Sequence, residues 1–224
     1  MDTPTEGRPS HIAMLPPTPP YALGLRVALR FNAALCRFWY GLRRIGPCTV
    51  PADGPVIIAA NHHCTADPLM LTAACPSRAI TYLIAREYAH TPIFGYFVRL
   101  LDCIQVRRDG RDLTATKTAL RRLRQGYVLG IFIEGRITPP GETPVPKDGV
   151  ALLALRSRAT VIPAYIGGTL YRNSVAAGFF ARHRARVRFG NAVDLTGLTD
   201  RPGRAAVAEA TRRIYERICA LRSE

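Results

Sequence analysis

Apolar positions recur with helical spacing at the start of the patterned part of the chain. From residue 21 to residue 45 one long helical pattern runs, closed by Gly46 and Pro47. Leu23, Leu29, Phe31, Leu35, Phe38, Trp39 and Leu42 cover most of its circumference. Arg26, Arg30, Arg37 and Arg44 follow one another at steps of four, seven and seven, which stacks them in one narrow stripe. A wide apolar face, an arginine stripe and a Trp-Tyr pair near one end suit a helix lying in a membrane interface. They also suit a helix packed on its own domain with solvated arginines. Residues 1–20 carry Pro, Thr and Ser without a charged region followed by an apolar core, so they read as a disordered lead-in and not as a secretory signal.

Beyond residue 55 the period changes. Residues 56–60, 82–85, 104–106, 128–133, 161–166 and 185–194 are short and rich in Val and Ile, as strands are. Helical spacing occupies 67–74, 91–101, 112–125 and 149–158, with a last helix over 202–221. This alternation predicts an α/β fold with a largely parallel sheet flanked by helices. No repeat or linker interrupts it, so the expected organisation is a lead-in over 1–20, an amphipathic membrane-interface helix over 21–46 and one domain over 47–224. No stretch of about 18 uncharged apolar residues is present, and no transmembrane helix is expected.

Charge sharpens the picture. The 224-residue chain has a formal net charge of +15, and all but two of its 31 basic side chains, Lys117 and Lys147, are arginine. Arginine's planar fork matches phosphate oxygens, so a phosphate-bearing partner is expected, in a lipid headgroup, a substrate or a nucleic acid. The aromatics are not interleaved with basic residues on strands as in nucleic-acid-binding modules, so no nucleic-acid partner is expected. Six cysteines lie mostly in apolar stretches with no Cys-x-x-Cys spacing, which predicts reduced, buried thiols in a cytosolic protein and no metal site.

Three strand ends carry candidate chemistry. Residues 61–68, Asn-His-His-Cys-Thr-Ala-Asp-Pro, follow the first strand and set His62 and Asp67 at a strand-to-helix turn, where α/β folds present reactive groups. Histidine is a competent general base near neutral pH, and a carboxylate can hold its tautomer and stabilise the imidazolium. At the end of residues 128–133, Gly135 permits close backbone approach to a ligand and Arg136 offers paired hydrogen bonds to an anion. Glu134 can aim that arginine or bond an acceptor hydroxyl. The strand at 103–108 ends in Arg107 and Arg108, of which alternation turns only one toward a ligand. Cys64 beside His63 admits a thiol-nucleophile reading, but no oxyanion motif accompanies it.

In order, Asn61-His62…Asp67-Pro68, Ile104-x-Val106-x-Arg108, Phe132-x-Glu134-Gly135-Arg136 and Val161-Ile162-Pro163 resemble the four motif blocks of the glycerolipid acyltransferase superfamily, whose best-known member is 1-acyl-sn-glycerol-3-phosphate acyltransferase. The likeness covers roughly residues 50–195. It implies direct transfer of a fatty acyl chain from acyl-CoA or acyl carrier protein to a hydroxyl of a lysophospholipid or glycerol phosphate type acceptor. His62 and Asp67 would then be catalytic, and Arg108, Glu134, Gly135 and Arg136 would bind the acceptor. No metal or redox cofactor is implied. Expected partners are an anionic membrane surface, the acyl thioester donor, acyl carrier protein where it carries that donor, and the lysophospholipid acceptor, with a peripheral location on the cytoplasmic face. A hydrolase using the same pair on water, or a basic nucleic-acid-binding protein, are the alternative readings. This chain departs from the pattern at Ile133, usually Pro, at Asp102, often Gly, at Cys64, often Ser, and in placing Arg136 directly after the glycine.

Overall fold

In the computed structural model, the described residues are 22–90, 95, 98, 99, 101–107, 112–172, 174–198 and 203–222. Among them a seven-stranded sheet forms the centre, in the order β1-β7-β6-β2-β5-β3-β4. The strands are β1 (Arg43–Ile45), β2 (Val56–Ala60), β3 (Ile80–Ala85), β4 (Ile104–Val106), β5 (Val128–Phe132), β6 (Thr160–Gly167) and β7 (Arg186–Phe189). Strands β6, β2, β5, β3 and β4 run parallel; β7 pairs antiparallel with β6, and β1 lies parallel to β7. The expected α/β class, with a largely parallel sheet, is the one formed.

Every residue of β2 is fully buried, because the strand lies between two layers. Val56, Ile58 and Ala60 face helices α1 (Ala22–Phe38) and α2 (Asp67–Ala74), while Ile57 and Ala59 face α3 (Leu113–Arg124), α4 (Gly149–Ser157) and α6 (Arg204–Ala220). A strand covered on both faces reads as a continuous apolar run, which is why Val-Ile-Ile-Ala-Ala shows no alternation. The crossover through α2 moves toward β3 on one face, and those through α3 and α4 move back on the other, as right-handed connections require.

The helix expected over 21–45 is shorter. It ends at Phe38, Gly41 turns the chain with φ 57°, and Arg43–Ile45 becomes a sheet strand. Arg44 therefore leaves the predicted stripe; its guanidinium donates to the carbonyls of Gly46 (3.3 Å) and Ala74 (3.2 Å). One face of α1 packs on α2 through Leu29, Asn32, Leu35 and Cys36, and Asn32 donates to the Leu69 carbonyl at 3.0 Å. The opposite edge leaves Leu23, Val27, Phe31 and Phe38 between 59 and 79% exposed, and Arg26, Arg30 and Arg37 line its flank. A short helix, α5 (Val175–Phe180), was not expected, and the strand read over 185–194 is confined to Arg186–Phe189. Most of the helix expected over 91–101 lies outside the described residues. Cysteines are free thiols, but Cys219 is exposed where burial was expected.

Two family departures have visible backbone reasons. Asp102 sits at φ 50°, a left-handed conformation that glycine adopts freely and aspartate tolerates, and its carboxylate pairs with Arg122. Ile133, buried where proline is usual, donates its N–H to the Ala60 carbonyl at 2.9 Å and so extends the β2–β5 ladder by one bond that proline could not make.

Candidate active site

Register brings the functional segments together. Ala60 stands beside Phe132 of β5 on one side and Ala164 of β6 on the other, so the residues after β2 and β5 leave the sheet side by side. The chain leaves β2 toward β3 and leaves the adjacent β6 toward β7, in opposite directions along the sheet, which opens the crevice where open α/β sheets hold ligands. Asn61 anchors the exit of β2. Its Nδ2 donates to the Ile166 carbonyl (2.8 Å) and its Oδ1 accepts from the Ile166 N–H (2.7 Å), so a side chain replaces the next rung of the ladder.

His62 and Asp67 meet across the loop, with Nδ1 3.0 Å from Oδ2. Asp67 is fully buried at the first position of α2, and Oδ2 also accepts the backbone N–H groups of His63 and Cys64 at 2.8 Å each. Three donors on one oxygen suit an ionised carboxylate. With that carboxylate as acceptor, Nδ1 carries the ring proton and Nε2 keeps its lone pair. Among the described residues Nε2 has no hydrogen-bond partner, and the His62 side chain is 15% exposed. The arrangement is an oriented base with its reactive nitrogen free.

One contact that the sequence did not signal holds the ring, and a second backs it. His62 stacks on Phe132, centroids 3.9 Å apart and planes 14° from parallel, and Tyr82 stacks behind Phe132 at 6.2 Å. Tyr82 fits only because Gly130 has no side chain, since a Cβ there would stand 2.4 Å from the ring. Alternation along β5 puts residues 130 and 132 on one face of the strand, a clue to this stack that the motif wording hides.

Glu134 is 2% exposed. Its Oε1 accepts the His62 N–H at 3.3 Å, and Oε2 accepts the hydroxyl of buried Thr138. Thr138 in turn donates its N–H to the His62 carbonyl at 2.9 Å. The carboxylate thus ties the two loops together and faces protein donors rather than open space. Gly135 follows at φ 66°, in a turn whose N–H bonds the Phe132 carbonyl at 3.0 Å; a Cβ there would make only ordinary contact with Lys147. Backbone conformation, and not crowding, is what asks for glycine there. Arg136 is 54% exposed and ion-paired with Glu142, itself 47% exposed.

Arg108 lies outside the described residues. Arg107 is exposed and lines a cleft of about 470 Å³ between β4 and α3, with Arg86 and Arg122. Cys64 is buried. Its Sγ lies 3.8 Å from Nε2 of His183 and 3.5 Å from the Gly178 carbonyl. Burial chiefly, with the nearby Asp67 charge, pushes the Cys64 thiol upward. Burial pulls His183 downward, and its Nδ1 accepts the Leu170 N–H (3.1 Å) while Nε2 donates to the Gly178 carbonyl (3.0 Å). A neutral imidazole with both nitrogens occupied cannot take the thiol proton. Among the described residues no three His, Cys, Asp or Glu side chains gather as a metal site, and no helix is long and apolar enough to cross a membrane.

Residues 42–167 match the family model described as Acyltransferase. The chain is 24% identical to the 1-acyl-sn-glycerol-3-phosphate acyltransferase of Bacillus subtilis over 75% of its own length and 82% of that protein. It is 30% identical to the enzyme of the same name from Borreliella burgdorferi, over 55% of this chain and 50% of that one. Its fold matches the crystal structure of the 1-acyl-sn-glycerophosphate acyltransferase PlsC from Thermotoga maritima with a TM-score of 0.70, covering 91% of this chain and 83% of the other at 17% identity.

Proposed function

This chain belongs to the acyltransferase family, and we propose that it moves a fatty acyl chain from a thioester donor, acyl-CoA or acyl carrier protein, to the hydroxyl of a lysophospholipid or glycerol phosphate type acceptor. The observation that carries this reading is the His62–Asp67 pair, with Nε2 free and Nδ1 held at 3.0 Å. Nε2 takes the acceptor's hydroxyl proton as the oxygen attacks the thioester carbonyl. Asp67 stabilises the imidazolium that results. Collapse of the tetrahedral intermediate breaks the C–S bond, and the departing thiolate takes the proton back from Nε2. No bond to the protein forms at any stage.

Glu134 and Thr138 position the His62 loop in this scheme, and Gly135 provides the turn that presents Arg136. Arg136 with Arg108 holds the acceptor's phosphate. An exposed ion pair such as Arg136–Glu142 contributes only about 0–1 kcal/mol, so a phosphate can displace Glu142 at small cost. The test is labelled donor, as acyl-CoA and as acyl carrier protein, against a panel of lysolipid acceptors, with esterified product separated from free fatty acid. Label in free acid alone would assign a hydrolase instead.

Arg136→Ala should raise the acceptor KM roughly ten- to a hundred-fold, since a charge-assisted bond to a group unchanged in the reaction contributes about 1.5–3 kcal/mol of uniform binding. Lysine there should restore only part of it, lacking the fork. A rise in donor KM instead would move Arg136 to the donor site. Cys64→Ser should keep most of the activity, and mass spectrometry should find no acyl adduct on Cys64; a trapped adduct would overturn direct transfer.

The enzyme works, in this reading, as a peripheral protein on the cytoplasmic face of the membrane, with the apolar edge of α1 in the interface. Its arginine flank adds about 1 kcal/mol per residue near an anionic surface, a term that salt weakens. Val27→Ser with Phe31→Ser should therefore reduce partitioning onto anionic vesicles in a sedimentation assay without lowering the melting temperature. Removing the whole segment is the poorer test, because Cys36 and Tyr40 are core residues.

A further inference from the structure

We infer that α5 is a second bilayer contact, which forms one surface with the end of α1 and sets an anionic membrane directly beside the loop that bears His62. This rests on the acyl-transfer reading only for its consequence, not for the binding itself. Three tertiary contacts join the residues just after α1 to α5 and the turn that follows it. Trp39 Nε1 donates to the Phe180 carbonyl at 3.3 Å, Tyr40 donates its hydroxyl to the Phe179 carbonyl at 2.6 Å, and the Arg182 guanidinium lies 4.7 Å over the Trp39 ring. Phe180 is 66% and Trp39 39% exposed, and Phe38, the neighbour of Trp39 in sequence at the end of α1, is 79% exposed. Exposed Trp39 and Phe180 meet from segments about 140 residues apart, with exposed Phe38 next to Trp39 in sequence, which is more than scattered surface apolars.

Charge names the partner. Residues 7–52 and 149–193 contain no aspartate or glutamate; Arg182 lies over Trp39, and Arg37, Arg172 and Arg184 are exposed within the same two segments. Exposed aromatics on two arginine-bearing segments that carry no acidic residue match the interface of an anionic bilayer, where rings sit at headgroup depth and guanidinium groups meet phosphate. The inner side of α5 rests on the loop after β2. The Gly178 carbonyl lies 3.5 Å from Cys64 Sγ, and a Cβ on Gly178 would stand 2.6 Å from the Thr65 hydroxyl. A bilayer touching Phe180 is then one helix width, about 10 Å, from the segment carrying His62. A lysolipid acceptor can keep its acyl chain in the membrane while its headgroup reaches the base.

Trp39 is the single tryptophan, so its fluorescence reports this surface alone. With the full chain and vesicles of phosphatidylglycerol and phosphatidylcholine, its emission should shift to the blue and be quenched by lipids brominated high on the acyl chain. Phe180→Ser should weaken vesicle binding about ten-fold, the equivalent of about 1.4 kcal/mol, and remove most of the quenching. Phe180→Leu should retain both, and unchanged melting curves would show that each variant folds. On turnover, Phe180→Ser should slow acylation of a bilayer-embedded acceptor but not of a short-chain soluble one. Unchanged vesicle binding by Phe180→Ser would overturn the inference. So would a fall in the mass of the particle in solution with binding intact, which would make the patch an interface between two copies. These binding readouts need no turnover, so they decide the surface even if the acyl-transfer reading fails.

Discussion

His62→Ala is expected to lower kcat for acyl transfer by about 10²–10⁴-fold, the usual reach of a general base. The expectation follows from an Nε2 free among the described residues, on a ring held by Asp67 at Nδ1 and by Phe132 against its face, with Glu134 holding the His62 backbone N–H. The substitution removes the base and leaves each of those supports paired or packed elsewhere, so the fold should persist. His62 is at a strand exit and partly exposed, not in the core. The measurement is steady-state kinetics with both substrates varied, beside a thermal melt. A folded His62→Ala protein with near-normal turnover would remove His62 from the mechanism.

Asp67→Asn should cost about 10²–10³-fold in kcat with smaller changes in either KM, because the lost interaction is with the imidazolium that forms during reaction. Three N–H groups converge on Oδ2, which a carboxylate tolerates through its charge. A neutral amide oxygen accepts them less well, and its NH₂ group would occupy the place of Oδ1, which is buried and has no partner among the described residues. An unsatisfied buried donor costs about 1–3 kcal/mol, so a melting temperature lower by several degrees should accompany the loss of rate. Asp67→Glu should not rescue activity, since the longer arm carries the oxygen away from the two backbone N–H groups. Full turnover in the asparagine variant would leave His62 without its proposed partner.

The sequence by itself determined most of the sheet and the meeting of His62 with Asp67. Residues 56–60, 67–74 and 104–106 form the predicted elements at the predicted bounds, and 112–125 is α3 with its caps, Asp112 accepting the Ala115 N–H at 2.9 Å. Such elements are legible because local spacing, caps and burial agree on them. His62 and Asp67 were legible for the same reason: they belong to one turn, so their meeting is decided within a few residues.

What depends on contacts distant in sequence was not. Periodicity carried the first helix through Arg44, but β1 exists only because Arg43–Ile45 finds β7, about 140 residues on, and three residues carry no pattern of their own. The antiparallel turn of β7 and the six-residue α5 were invisible for that reason too. In the site, tertiary structure buried Glu134 as a tie between His62 and Thr138, and it set Phe132 against the imidazole. It also placed His183 on Cys64, 119 residues away, with both ring nitrogens already engaged. The chemistry of each residue is a property of its side chain and can be read along the chain. Which lone pairs are left free is a property of packing, because it depends on every donor that the fold brings within reach.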